Sequence, residues 1–143
     1  MAHPSESYAD GLHAVLAAEA VCAQRYTYFA QVAETEGHTE TARLFTDLAA
    51  SAACAAHGHL DVLRDLAVEA DGPVLGDTRT NLAAAVAEAL NEAVETYPRL
   101  TTTAHERGHG DVASWLTTLT ALKKSHVAKF DTALRELSGA SDD

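Results

Sequence analysis

Residues 26–45 read YTYFAQVAETEGHTETARLF, and 71 positions later residues 97–116 read YPRLTTTAHERGHGDVASWL. Laid over one another, Tyr26 meets Tyr97, Gly37 meets Gly108 and Phe45 meets Leu116. Each copy carries apolar residues at three- and four-residue intervals on both sides of a glycine, the pattern of two helices joined by a tight turn. The chain therefore reads as one helical hairpin made twice. Upstream the copies align differently: GLHAVLAA (11–18) falls on NLAAAVAE (81–88) at an offset of 70. One extra residue has entered the third helix between about Ala89 and Tyr97. A helix absorbs such an insertion as a π turn, and π turns gather at functional sites.

Working outward, the first helix places Leu12, Leu16, Glu19, Ala23, Tyr26, Ala30 and Ala33 on one face and stops at Gly37. The second opens near Thr39 with Phe45, Leu48, Ala52, Ala55, His59, Val62 and Leu66 on its inner face. EADGPVLGDT (69–78) breaks the chain with Gly72, Pro73 and Gly76. The third starts at Thr78 to Thr80 and runs past Glu92 toward Leu100. ERGHGD (106–111) makes the second turn, with Asp111 as the expected N-cap of a last helix. That helix carries Val112, Leu116, Leu119, Lys123, His126, Phe130 and Leu134 on one face. The expected boundaries are an N-terminal segment 1–10, a bundle 11–137 and a polar tail 138–143. Two hairpins joined by a short connection give an all-α four-helix bundle with one crossover connection.

Composition agrees with helices. Hydrophobic residues make up 47% of the 143, much of that alanine, with only 3 prolines. A net charge of −11 and a pI near 5.0 argue against nucleic acid or an anionic membrane as the partner. Cys22 and Cys54 make no disulfide framework and no CxxC pair. With no apolar leader and no apolar run of spanning length, the expected setting is the cytoplasm.

The polar residues on the inner faces carry the chemistry. Glu19, positions 52 and 55, positions 89 and 92, and positions 123 and 126 are expected to share one central layer. Bundles hold two metal ions in such a layer, with one Glu from each of two helices and Glu-x-x-His from each of the other two. Residues i and i+3 share a helix face, so each such pair converges.

The words LAAEAVCAQRYTYFAQVAETEG, ARLF, HGHLDVL, NLAAAVAEALNEAVETYP and VASWL…KKSHVAKF resemble the rubrerythrin family of the ferritin-like superfamily over roughly residues 11–137. The resemblance implies a ferritin-like bundle with a non-haem di-iron centre that reduces peroxide, usually in a dimer. It also implies a damaged ligand set. The first-helix glutamate is Glu19. The second-helix Glu-x-x-His falls on Ala52 and Ala55. The third-helix pair is Ala89 and Glu92, and in the fourth helix Lys123 stands where a bridging glutamate is expected, with His126 following. The rubredoxin-like module that many rubrerythrins append is absent from the sequence.

Lys123 brings positive charge to a place meant for cations. It would repel a metal, whereas as an ammonium it would neutralise Glu19 or Glu92 directly. Three readings stay open at this point. One is a metal-poor or metal-free core network of Glu19, Glu92, Lys123 and His126. Another is a residual mononuclear iron or manganese site on Glu19, Glu92 and His126 with a redox function. The last is a small molecule bound in a pocket that Ala52, Ala55 and Ala89 enlarge, with Lys123 and Tyr26 as candidate catalytic groups. A homodimer is the expected assembly, with Trp115 marking its surface. Cys54 and His57 share a face, and His59 reads as a hydrogen-bonded core histidine.

Overall fold

In a computed structural model the described residues are 8–66 and 75–140, and apart from the turns they are helical. The chain divides into two compact units, Met1–Leu75 and Gly76–Asp143. The first is a hairpin of α1 (Tyr8–Thr35) and α2 (Thr39–Leu66). The second pairs α5 (Gly110–Gly139) with a rod made of α3 (Thr78–Asn91), a π turn (Glu92–Thr96) and α4 (Tyr97–Glu106).

The π turn lies where the offset between the two copies changes from 70 to 71. Asn91, Glu92, Thr96 and Tyr97 all keep right-handed helical backbone, so the rod is widened there without being broken. Pro98 follows directly. It sits in the first turn of α4, immediately after the π turn.

The two hairpin turns are built alike, bond for bond. Gly37 and Gly108 take positive φ, +84° and +74°, and are the residues with positive φ among those described. In the first turn the His38 N–H donates to Ala33 O at 2.8 Å and the Gly37 N–H to Glu34 O at 3.1 Å. In the second, the His109 N–H donates to Ala104 O at 2.8 Å and the Gly108 N–H to His105 O at 3.0 Å. This paired closure satisfies the last carbonyls of a helix and needs a left-handed residue, which glycine supplies without a Cβ clash. The second helix then starts from a histidine in each copy. Asp111 is consequently not the cap: α5 begins at Gly110 after His109, which places Asp111 in its first turn. There its charge still complements the positive end of the helix.

Both hairpins close on alanine. The α1–α2 seam buries Ala30, Ala33, Ala42, Ala49, Ala52 and Leu63. The second hairpin buries Ala89, Ala93, Ala104 and Ala113. Small side chains let two backbones approach closely, and larger residues flank the seam. Phe45 packs at 5.5 Å, edge-on, against Phe29 and at 6.3 Å against Tyr26, while the Arg25 guanidinium lies 5.4 Å over the Phe29 ring. Each aromatic pair adds about 0.5–1.5 kcal/mol beyond its buried area.

The expected inner face of α2 coincides only in part with the strip that α1 covers. Ala52 is buried, Phe45, His59 and Leu66 are half-buried, but Leu48, Ala55 and Val62 are exposed. Within the first hairpin the strip covered by α1 runs through Ala42, Ala49, Ala52 and Leu63. Val112 on α5 is likewise exposed. Two boundaries also move: α1 begins at Tyr8, inside the expected N-terminal segment, and α5 runs through Ser138 to Gly139, into the expected tail. The Ser138 hydroxyl donates to Leu134 O at 3.0 Å along that last turn. The break expected at 69–78 lies mostly outside the described residues.

The start of α3 is firmly made. Asp77 is its N-cap, its carboxylate accepting from the Thr80 N–H at 2.9 Å. Asn81 reaches back to Gly76, accepting from its N–H at 2.9 Å and donating to its carbonyl at 3.0 Å. Gly76 and Asp77 are thereby folded onto the first turn.

Candidate functional site

On the second hairpin, the π turn and α5 bring Glu92 and Lys123 together. The Lys123 Nζ lies 3.1 Å from Glu92 Oε2, with the two side chains 23% and 35% exposed. Glu92 opens the π turn, and Ala89 and Ala93 beside it are buried in the seam. Lys123 sits on the covered face of α5, its stem shielded and its ammonium at the edge of solvent. One turn further on, half-buried His126 stacks edge-to-face on Phe130, ring centres 6.2 Å apart.

On the first hairpin, Glu19 is half-buried on the covered face of α1. No basic side chain among the described residues of that hairpin lies within ion-pair distance of it. Its neighbours one and two turns on are Cys22 and Tyr26. Tyr26 is held above its ordinary value of 10.0, first by the hydrogen bond with the Cys22 side chain, then by Cys22 charge, burial and the Glu19 carboxylate, with Arg25 opposing. The phenol is therefore kept protonated, and Glu19 shares in that effect. The i, i+4 spacing of Cys22 and Tyr26 was the available signal for this pair.

The remaining candidates separate. Cys54 is exposed and free. His57 is engaged with Asp61 on the same helix at 3.7 Å and both side chains are open to water. His59 is half-buried, and Trp115 is 60% exposed. Among the described residues of each hairpin, no three His, Cys, Asp or Glu side chains gather to hold a metal ion. No described helix is long and apolar enough to cross a membrane.

An ammonium has no lone pair to give a metal, and at 3.1 Å it occupies one carboxylate oxygen of Glu92. Buried Ala52 and Ala89 offer no donor atom either. The groups on these faces do not fit a pair of iron ions, whose ligands are carboxylates and imidazoles.

All-helical hairpins in tandem, with polar residues on their covered faces, define the class as a ferritin-like four-helix bundle. The sequence model of the rubrerythrin family matches residues 10–134, and the chain belongs to that family. It is 28% identical over 137 residues to Rubrerythrin-1 of Clostridium acetobutylicum, covering 90% of this chain and 70% of that protein. It is 29% identical over 129 residues to a rubrerythrin of Porphyromonas gingivalis, covering 87% of this chain and 64% of that protein. The chain thus spans about two thirds of the length of these relatives.

Proposed function

We propose that this chain is a rubrerythrin-family protein whose metal centre has been given over to a carboxylate–ammonium network, leaving it metal-poor or metal-free and outside the family's two-iron peroxide chemistry. The observation that carries the reading is the Lys123–Glu92 contact at 3.1 Å on the covered face of the second hairpin. A glutamate at the entry to a π turn is placed as a ligand would be, and here its charge is met by a side chain of the same protein. The pair is partly shielded, so its worth lies between that of an exposed pair, about 0–1 kcal/mol, and the ~3–5 kcal/mol lost when a buried pair loses one member. The carboxylate is retained because a half-buried ammonium without it would be costly, and the reverse holds too.

Glu92 and His126 are the remaining ligand-type side chains of the second hairpin, and Glu19 of the first. A single iron or manganese on these three would have to displace Lys123 from Glu92. Elemental analysis of protein made under iron-replete, anaerobic conditions decides between the readings. The expected result is well below two irons per chain and no manganese in their place. Two stoichiometric irons overturn the proposal, and one tightly held metal per chain lost on Glu92→Gln substitution supports the mononuclear site instead.

A further inference from the structure

The ends of the two hairpins share their backbone and differ in what surrounds it. Beside the first turn lies a cavity of about 540 Å³, within the size range of small-molecule sites. Half-buried Phe29 and Phe45, with Tyr28 and Val32, form its apolar wall, and Glu36 and His38 supply its ionisable groups. The Arg25 guanidinium takes one face of Phe29, so the ring left for an incoming cation is that of Tyr28, which is 63% exposed. Glu36 Oε2 lies 3.9 Å from His38 Nε2, beyond hydrogen-bond reach. Its neighbour Glu40, by contrast, is held by Arg43 at 3.0 Å. The chain's lysines, Lys123, Lys124 and Lys129, all lie in the second hairpin.

Neither the rings nor the carboxylate is required by the turn. At the offset of 71, Tyr28 corresponds to Arg99, Phe29 to Leu100, Glu36 to Arg107 and Phe45 to Leu116, around the same glycine closure. The cavity at the second turn is lined instead by Gly108, His109, Gly110, Asp111 and Val112. Leucine meets the packing need in that copy, and a guanidinium serves where the first copy has a carboxylate. An apolar wall beside a carboxylate without a hydrogen-bonded cation complements a molecule with an apolar body and one positive charge.

We propose that the end of the first hairpin binds a small organic cation, a primary amine that carries an aromatic or branched apolar group. Its body fills the cavity against Phe29, Val32 and Phe45, while its ammonium donates to Glu36 and lies against the Tyr28 ring. The charge-assisted hydrogen bond and the cation–π contact both select the ammonium over a neutral group of the same shape. An anion of that shape meets the Glu36 charge and is rejected. The site is formed within one hairpin, ten or more residues along the chain from Glu19, and binding there is independent of whether metal is held.

Titration of the nitrogen-15-labelled full chain with 2-phenylethylammonium tests it, in about 0.15 M salt to screen diffuse attraction to the acidic surface. Saturable shifts are expected at the amides around the first turn and none at Gly108 and His109. Neutral 2-phenylethanol is expected to bind about three- to ten-fold more weakly, and the anion 3-phenylpropionate to leave the signals unmoved. Glu36→Gln is expected to weaken the amine by the same factor and leave the alcohol unchanged. Tyr28→Ala is expected to weaken the amine about two- to five-fold. The Glu36 side chain is 61% exposed and Tyr28 63%, so neither substitution disturbs the seam. Absence of a saturable shift at the first turn overturns the proposal, and is the result if another part of the protein or a second copy covers the cavity. Equal affinity for amine, alcohol and anion marks a general apolar patch and overturns it too, as do equal shifts at both turns.

Discussion

The two hairpins share a turn down to the hydrogen bonds and differ in the charge on their covered faces. The first presents Glu19 with no cation within ion-pair distance among the described residues of its own hairpin, beside a tyrosine kept protonated by Cys22. The second presents Glu92 already matched by Lys123, at the mouth of a π turn that the first lacks. At the offset of 71, Lys123 corresponds to Ala52, which is buried in the first seam. Both hairpins close on alanines, Ala49 one turn before Ala52 and Ala89 and Ala93 beside Glu92, the partner of Lys123. The scaffold and the chemistry have therefore diverged separately: the turn is fixed by backbone geometry, while the polar positions are free to change.

The most drastic way to break this difference is to rewrite the ligand positions together. Lys123→Glu, Ala52→Glu, Ala55→His and Ala89→Glu combined are expected to raise bound iron from a trace toward two per chain, read by elemental analysis of the folded protein. A folded quadruple variant that takes up no iron would mean that these positions do not correspond to ligands. Next comes Lys123→Met, which keeps the stem and removes the charge. It is expected to cost about 1–3 kcal/mol in denaturant unfolding, between the exposed and buried limits. Loss of less than a few tenths would leave the pair without a structural role.

The likeness of the hairpins can be sharpened with their glycines. Gly37→Ala and Gly108→Ala each force a Cβ into the left-handed region, at about 1–2 kcal/mol. No other atom lies within 4 Å of a Cβ built at either position, so the two costs should agree. Markedly unequal values would show that one turn is held by something beyond its backbone. The smallest effect belongs to Tyr26. Its value in the fold is raised, so the neutral phenol is favoured, and the resulting contribution is intact below pH 10.0 and lost as pH rises through the raised value. In an ultraviolet titration Tyr26 should ionise above its ordinary value of 10.0, and Cys22→Ala should lower that midpoint.

Much of this was readable from residues. The repeat gave the two turns, and the change of offset from 70 to 71 located the π turn within a few residues. Lys123 announced itself as a charge of the wrong sign for a metal face. The covered face of α2 was harder to read, because Leu48, Ala55 and Val62 form an apolar line as regular as the true seam. Only the position of α1 decides between two adjacent stripes. The cap of α5 was misplaced for a related reason. Asp111 has the right side chain, but the glycine turn starts the helix one residue earlier, as its first copy does after His38. Ion-pair choice also lay beyond the sequence: within the second hairpin Lys123 lies 3.1 Å from Glu92, a pairing that spacing alone does not give.

The widened turn at 92–96 makes that stretch the one part of the rod where chain length is negotiable. A one-residue deletion there tightens the coil to ordinary pitch and leaves Ala89 and Ala104 pointing as before. The same deletion in α3 or α4 swings every later side chain by roughly 100° around the axis. Tolerance to shortening should accordingly peak over five consecutive positions and fall away on both sides.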